Sequence, residues 1–271
     1  MVINYLDKLK ILLKVYGCIP RLPFKFKVYI LLKPMEATRY VEFAYLVKFL
    51  KKNKYNNFQK VLDISSPFII SYYFSKNSDV VKTDISPEES KYFKKNENVQ
   101  FKIQDATSLD FSDNSFDFTF SVSAIEHIYN KYLTAIREII RVTKKDGLIY
   151  LSFPVSKSFK EEWIEGNIYY AQQRKSDKTF FQYRFDNKEL EKILEDISQD
   201  VEVLDKTIYW EKHNGKYDKM IKIIRKKIPV LNFFREAVIN FYYGFTIFNS
   251  FPEDFSKAKD FGNISLILKK L

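Results

Sequence analysis

Acidic and small polar residues stand at or just after the ends of several predicted β-strands. Such side chains supply hydrogen-bond donors and acceptors for the hydroxyl and amino groups of a nucleoside. If the strands are parallel, their carboxyl ends meet at one edge of the sheet, where ligands bind. We therefore predict a nucleoside-type cofactor site at this edge. The residues in question are Asp63, Ser65, Asp84, Asp105, Ser121 and Ser123.

Two of these acids are assigned specific roles in that site. Asp84 ends a strand about twenty residues past the first turn, the separation that a βαβ unit imposes on a ribose-binding acid. Its carboxylate can accept hydrogen bonds from both ribose hydroxyls. Asp105 is expected to accept from the adenine amino group, while Phe101, Ala106 or Leu109 walls the ring. Both acids are also compatible with ordinary turn formation.

The site requires parallel strands with helices between them, and the surrounding sequence predicts this α/β arrangement. Short runs rich in β-branched and aromatic residues alternate with helix-compatible segments. Ser86 is a suitable N-cap and Pro87 a suitable first residue for a helix over Pro87–Lys95. Apolar residues at helical spacing predict another helix over Tyr129–Val142. The predicted strands are Phe58–Ile64, Val80–Asp84, Val99–Ile103, Phe116–Val122 and Gly147–Phe153.

Several motifs follow one another in a fixed order along this segment. They are Val61–Pro67, Thr83–Pro87, Gln104–Ala106 with Asp110–Asp117, Ser123–Ile128 and Lys145–Ile149. In this order they resemble the motifs of class I S-adenosylmethionine-dependent methyltransferases of the type-11-like small-molecule group. The resemblance covers roughly residues 58–210 and plausibly the final strand, and the ordered run is far more specific than any single motif.

The resemblance implies a fold, a cofactor and a set of binding residues. The fold is a seven-stranded Rossmann-like sheet whose last strand, here Asn263–Lys269, is antiparallel to its neighbours. The cofactor is S-adenosyl-L-methionine, and the activity is methyl transfer to a small-molecule or glycan-type acceptor. The cofactor-binding residues expected on this basis are Asp63, Ser65, Ser66, Asp84, Ile85, Asp105, Ala106, Ser121 and Ser123. Outside the segment that carries the resemblance, Arg39 and Tyr40 of the N-terminal cap are expected to close over the cofactor.

The first motif departs from the family pattern, which places glycines directly after an acid. This chain has no glycine between Gly17 and Gly147. Ser65 and Ser66 are the smallest polar replacements, and their hydroxyls can hydrogen-bond a carboxylate or an amine. Pro67 is suited to start the next helix, whose N-terminus would then face the site. A catalytically inactive methyltransferase-like binding domain is therefore the first alternative.

His127 is the candidate catalytic residue. It lies just past the fourth strand, where the acceptor is expected, and an imidazole titrates near neutrality and can act as a general base. Its alternative role is a structural hydrogen bond at the start of the next helix, because positioning alone can suffice for methyl transfer from an activated donor. Glu126 is expected to orient the cofactor or the helix. No metal ligands are predicted.

The chain divides, on sequence alone, into a helical N-terminal cap over residues 1–56 and a methyltransferase domain over residues 57–271. The cap contains predicted helices over Tyr5–Tyr16 and Ala37–Lys51, with prolines at 20, 23 and 34 expected to prevent a regular helix between them. A helix over Asp186–Ile197 and a strand over Val201–Ile208 follow the core. Residues 211–262 form a variable basic and aromatic insert before the last strand.

The net charge of +11 is concentrated in two segments. Residues 1–35 carry seven cations and one acid, and residues 211–230 carry seven cations and two acids. Because the remaining chain sums to zero and shows no recognition motif, we predict no nucleic-acid partner. A single cysteine, Cys18, is typical of a reducing cytosol. Contact between the basic segments and a membrane, with a lipid-linked acceptor, is the second alternative. The oligomeric state is left open.

Overall fold

A seven-stranded mixed sheet forms the centre of the molecule, in a computed structural model that describes residues 1–93, 98–166, 170, 173–225 and 232–271. The strand order is β3-β2-β1-β4-β5-β10-β9, and β10 is antiparallel to both of its neighbours. This confirms the predicted sheet and its antiparallel last strand. The central strands are β1 (Lys60–Ile64), β2 (Asp79–Asp84), β3 (Val99–Ile103), β4 (Phe116–Val122), β5 (Thr143–Val155), β9 (Val201–Trp210) and β10 (Gly262–Lys270).

Helices cover both faces of the sheet. They are α1 (Tyr5–Tyr16), α2 (Phe24–Leu32), α3 (Arg39–Lys52), α4 (Phe68–Phe74), α5 (Tyr132–Val142), α6 (Asn187–Asp196), α7 (Lys216–Arg225) and α8 (Asn232–Thr246). Short 3₁₀ helices occur at Ile19–Arg21, Pro87–Tyr92, Ile125–His127 and Phe255–Lys257. The predicted helices near residues 5–16, 37–51 and 186–197 are confirmed within two residues at each end.

Side-chain alternation along the strands builds two separate apolar cores. In β4, Phe118, Phe120 and Val122 pack on the face that carries α1, α3 and α4. In β5, Ile149 and Leu151 pack on the opposite face, against α5 and α6. The N-terminal segment thus shares one continuous core with the sheet, and its separation at residue 56 stays a prediction.

Helix α2 contradicts the expectation that residues 20–34 contain no regular helix. Pro23 occupies the N-cap position of α2, and Pro34 lies beyond its C-cap, Lys33. A proline at the start of a helix removes an N–H group that would have no partner inside the helix. The prolines therefore stand at the two ends of this helix and do not interrupt it.

Two other local predictions were wrong in detail. The segment after Ser86 is a 3₁₀ helix ending at Tyr92, and the Ser86 side chain makes no capping bond. The end of the helix predicted to reach Lys95 lies outside the described residues. Strand β5 begins at Thr143, four residues before the predicted start, with Asp146 at a positive φ of 61° in an irregular stretch of the ladder.

A small antiparallel sheet beside the main one was not predicted. It has the order β6-β8-β7, with β6 at Lys160–Glu165, β7 at Arg174–Lys175 and β8 at Lys178–Arg184. These strands are rich in charged residues, so their sequence lacks the alternation typical of a strand. Their apolar face is narrow and consists of Trp163 and Phe180, which pack against Tyr129 at ring-centroid distances of 5.5 and 4.9 Å. This sheet brings Phe181 next to the carboxyl end of β4.

Candidate active site

The turn after β1 is built around the buried side chain of Asp63. Its Oδ1 accepts from the backbone N–H of Ser66 at 3.0 Å and lies 3.3 Å from Nζ of Lys82, while its Oδ2 accepts from the Ser71 hydroxyl. Ser65 has a φ of +52°, a left-handed conformation that favours glycine. The turn thus keeps the backbone conformation that a glycine would adopt, although Asp63 lies beneath it and not on its open side.

Two predicted serines hold this turn against strand β4. The Ser66 hydroxyl accepts from the backbone N–H of Val122 at 2.9 Å, and the Ser121 hydroxyl donates to the carbonyl of Ile64 at 3.1 Å. Both serines are buried. Their hydroxyls therefore position the ends of β1 and β4, and Ser65 is the partly exposed residue of the turn.

Asp84, Ile85 and Asp105 lie along the same edge, at the ends of neighbouring strands. Asp84 pairs with Ile103 in the β2–β3 ladder, and its Oδ1 accepts from the N–H of Ser86 at 2.8 Å. Asp105 is exposed, and its Oδ1 accepts from the N–H and the hydroxyl of Thr107, both at 2.8 Å. The structure thus brings both predicted nucleoside-binding acids to one side of the sheet.

The three residues expected to wall the adenine ring do not lie together. One is at the edge of the sheet formed by the carboxyl ends of the strands, called the rim below, and the others pack in the interior. Ala106 is partly exposed beside Asp105. Leu109 is buried in the core, and Phe101 stacks on Phe93 with ring centroids 5.9 Å apart. Of the three candidates, Ala106 is the one placed next to Asp105 in the loop that follows β3.

A buried carboxylate that the sequence analysis missed joins the N-terminal segment to the sheet. Oε1 of Glu42 in α3 accepts from the hydroxyls of Ser123 and Ser152 at 2.7 and 2.8 Å and from Nδ2 of Asn263 at 2.9 Å. Its Oε2 accepts from the Arg39 guanidinium. Ser123 has a φ of +47°, so this network fixes a strained residue at the end of β4.

Tyr40 does not reach the rim that carries the other predicted residues. Its side chain is fully buried and packs beneath α8, where a Cβ atom built at Gly244 would lie 2.4 Å from its Cδ2. The ring of Phe245 lies 5.2 Å away, centroid to centroid. The prediction that Tyr40 contacts the cofactor stays a prediction, and this packing does not favour it.

His127 and Glu126 occupy the 3₁₀ turn after β4. His127 Nδ1 donates to the carbonyl of Phe181, because a carbonyl can only accept, and this leaves Nε2 as the unprotonated nitrogen of the neutral ring. Nε2 lies 3.9 Å from Oε1 of Glu126. Burial lowers the pKa of His127 to about 4 and raises the pKa of Glu126 to about 8. At neutral pH the imidazole is therefore neutral and the carboxyl is largely protonated.

A cavity of about 280 Å³ opens beside this turn. Ser123, Glu126 and His127 line one side of it, and residues of α7 and α8 line the other. Of the predicted site residues, Ser123 and His127 are thus brought to a ligand-sized space. Glu126, which the sequence analysis expected to orient the cofactor or the helix, and Arg39 also line this cavity.

The rim lies in the segment that the comparisons identify. Residues 65–151 match a family model described as a methyltransferase domain. The match covers these residues and not the rest of the chain, and together with the seven-stranded sheet it supports a class I S-adenosylmethionine-dependent methyltransferase. Its cofactor is accordingly S-adenosyl-L-methionine. No curated protein sequence matches this methyltransferase significantly.

Solved structures show the same fold at low sequence identity. Coclaurine N-methyltransferase, bound to N-methylheliamine and SAH, superposes with a TM-score of 0.55 at 16% identity, covering 98% of this chain and 88% of that one. The MccD protein superposes with a TM-score of 0.52 at 16% identity, covering 84% of this methyltransferase and 96% of that chain. At such identity the likeness concerns the fold.

The residues at the rim fit the cofactor. Ser65 reproduces the positive φ of a glycine turn. Next to Asp84 and Asp105, Oε1 of Gln104 is buried and has no hydrogen-bond partner among the described residues. A buried acceptor without a partner is costly, and a donor from a bound molecule would offset that cost. The methyltransferase thus has suitable acceptors where the nucleoside part is expected.

No helix in the described part of the chain is both long and apolar enough to span a bilayer.

Proposed function

We propose that this methyltransferase acts on a small-molecule or glycan-type acceptor held in the cavity beside His127. One observation carries the proposal: the cavity opens at the carboxyl end of β4, next to the rim that carries Ser65 and Asp84. S-adenosylmethionine supplies an activated methyl group when bound. The chain's own task is then to hold the acceptor in line, exclude water and, where needed, remove a proton.

The proposal assigns a role to each group of rim residues. Asp84 accepts from the ribose hydroxyls, with Ile85 beside it as an exposed apolar contact. Asp105 and Ala106 bind the adenine end. Ser65 contacts the amino-acid end, while Asp63, Ser66 and Ser121 keep the turn in place.

His127 is the proposed base or orienting residue for the acceptor. Its ring is fixed by the carbonyl of Phe181, and its Nε2 is unprotonated at neutral pH because the pKa lies near 4. An imidazole with so low a pKa is a weak base, so it suits accepting a hydrogen bond from the acceptor better than storing its proton.

The test follows a labelled methyl group. The protein is incubated with S-adenosylmethionine labelled in the methyl group and with a cell extract divided into water-soluble and lipid fractions. We expect label in an acceptor with the wild type and with Asp79→Ala, at the far end of β2, and no label with Asp84→Ala. Equal labelling by wild type and Asp84→Ala would contradict the assigned rim.

Peripheral membrane association, with a lipid-linked acceptor, is a second candidate that the surface favours. Helices α1 and α2 both pack against α8, through Tyr5–Phe245 and Tyr29–Phe233 ring contacts of 4.7 and 5.5 Å. All three helices expose large apolar side chains. These are Tyr5, Leu6, Leu13, Phe24, Val28, Leu31, Leu32, Phe234, Val238, Phe241 and Tyr242.

Exposed lysines stand among these apolar side chains, which is typical of helices that lie on anionic bilayers. Lys10, Lys14 and Lys25 are exposed on α1 and α2. We expect flotation of the protein with vesicles that contain phosphatidylglycerol, weaker flotation with phosphatidylcholine alone, and loss of flotation in Phe24→Asp with Val238→Asp. Absence of flotation with anionic vesicles, or label confined to the water-soluble fraction, would refute this candidate.

A further inference from the structure

The cavity beside His127 is lined by three carboxyl groups, those of Glu36, Glu126 and Glu236. Carboxylates bind organic cations through charge-assisted hydrogen bonds. The two rings in the wall, Phe181 and Tyr217, already lie against the guanidinium groups of Arg225 and Arg184. The carboxyl groups are therefore the part of the wall that favours a cation. The cavity has room for a small organic molecule.

Glu126 is the most unusual of these groups. It is 1% exposed, and its Oε2 has no hydrogen-bond partner among the described residues, although the side chain lines the cavity. Its other oxygen, Oε1, faces Nε2 of His127 at 3.9 Å, too far for a hydrogen bond. A buried carboxyl oxygen without a hydrogen-bond partner is costly, so this atom is available to a polar group of a ligand.

The positively charged side chains of the cavity wall already have partners within the described structure. Lys33 pairs with Glu236 at 2.9 Å, and Arg39 pairs with Glu42. The Arg225 guanidinium lies over the ring of Phe181, 5.4 Å from its centroid. Each positive group near Glu126 thus has a partner of its own.

The charge state of Glu126 reflects these neighbours. Burial raises its pKa to about 8, Arg39 opposes the rise, and the Glu42 carboxylate adds to it. The Ser123 hydroxyl also favours the ionised form. A cation entering the cavity would displace the proton of Glu126, since an opposite charge nearby stabilises the carboxylate.

We propose that the acceptor is an amine and that Glu126 binds its nitrogen. This rests on the proposed methyl transfer and specifies its acceptor. The bound ammonium gives one proton to the Glu126 carboxylate, which exposes the nitrogen lone pair. As the new N–C bond forms, the C–S bond of the sulfonium breaks and sulfur keeps its electron pair. The products are a methylated ammonium and a neutral thioether, and the proton on Glu126 returns to solvent.

The test measures amine binding and proton release by calorimetry on protein saturated with S-adenosylhomocysteine. The probes are a panel of small primary and secondary arylalkylamines, beginning with benzylamine, each paired with its alcohol analogue. Titrations at pH 7 in buffers of different ionisation enthalpy count the protons released. We expect at least one amine to bind at least tenfold more tightly than its alcohol, with release of most of one proton, because a carboxyl of pKa about 8 is mostly protonated at that pH.

Glu126→Gln keeps the shape of the side chain and removes its charge, and Glu195→Gln, at an exposed position of α6 outside the cavity, is the matched control. We expect Glu126→Gln to lose at least tenfold in amine affinity and to release no proton, and Glu195→Gln to stay within about threefold. Amines that bind no better than alcohols in the wild type, or equal amine binding by Glu126→Gln, would overturn the proposal.

Titration of S-adenosylhomocysteine into the same variants distinguishes a failure of the amine proposal from a failure of the cofactor site. Normal affinity in Glu126→Gln supports a role toward the acceptor. A selective loss of that affinity would overturn the amine proposal, because Glu126 would then serve the cofactor. Absence of binding in the folded wild type would instead refute the cofactor site itself.

Discussion

Replacement of Glu42 by alanine should destabilise the fold strongly. The Glu42 side chain is fully buried, and it accepts from Arg39 and from three neutral donors: Ser123 just after β4, Ser152 on β5 and Asn263 on β10. Removing one member of a buried ion pair leaves the other charge uncompensated, which costs about 3–5 kcal/mol. For a chain of this size each kcal/mol lowers the melting temperature by about 2–4 °C, so the expected drop is about 6–20 °C.

The assay is thermal unfolding followed by circular dichroism, with Glu36→Ala as control. Glu36 lies 3.7 Å from the same guanidinium, but its side chain is 63% exposed, and such a pair contributes about 0–1 kcal/mol. The control should therefore melt within about 4 °C of the wild type. A drop below about 3 °C for Glu42→Ala, no larger than that of the control, would refute the reasoning.

The stability difference between the wild type and Glu42→Ala should also depend on pH. Burial alone would raise the pKa of Glu42, but the Arg39 guanidinium and the serine hydroxyls hold it below its usual value. The stabilisation is therefore complete above the unfolded-state pKa of about 4.3 and is lost as the pH falls through the lower folded-state pKa. The stability difference between wild type and Glu42→Ala should narrow in that acidic range. A difference that stays constant as the pH falls through that range would contradict the linkage.

Three smaller substitutions test other features. Ser65→Gly removes the cost of a positive φ and should raise stability by up to about 1 kcal/mol in urea unfolding; a loss would contradict the strained turn. Gly244→Ala forces a methyl group onto the buried ring of Tyr40 and should cost about 1–3 kcal/mol; an unchanged unfolding midpoint would contradict that packing. The Tyr40 hydroxyl is buried without a partner among the described residues, so Tyr40→Phe should be neutral or stabilising and should keep cofactor affinity; weakened affinity would instead support Tyr40 as a cofactor ligand.

The positions of the strands were accessible from sequence because alternation and strand-end polarity are local signals, whereas the seven-stranded sheet with its antiparallel last strand was implied by the family resemblance. Val80–Asp84 and Val99–Ile103 were placed almost to the residue. Helix α2 was missed because the prolines around it signal both helix ends and helix breaks, and only the tertiary contacts decide which. The small sheet was missed because its narrow apolar face is completed by Tyr129, which is distant in the sequence.

The site residues likewise divide into those that the sequence could place and those that it could not. Asp84, Asp105 and Ser123 could be placed at one edge of the sheet from the sequence, because each ends a strand or closely follows one. Their binding roles stay predictions. The burial of Glu42 was not predictable, since a glutamate on a helix normally faces solvent, and it depends on donors from Ser123 just after β4 and from β5 and β10. The altered pKa of Glu126 likewise arises from burial that a sequence does not reveal.

The central claim is that the rim around Ser65 and Asp84 binds S-adenosylmethionine despite its glycine-free turn. The most direct measurement is isothermal calorimetry of S-adenosylhomocysteine titrated into the folded full-length protein. We predict saturable binding at one site per chain, retained in Asp79→Ala and abolished in Asp84→Ala. Absence of binding in the folded wild type, or undiminished binding in Asp84→Ala, would contradict the claim.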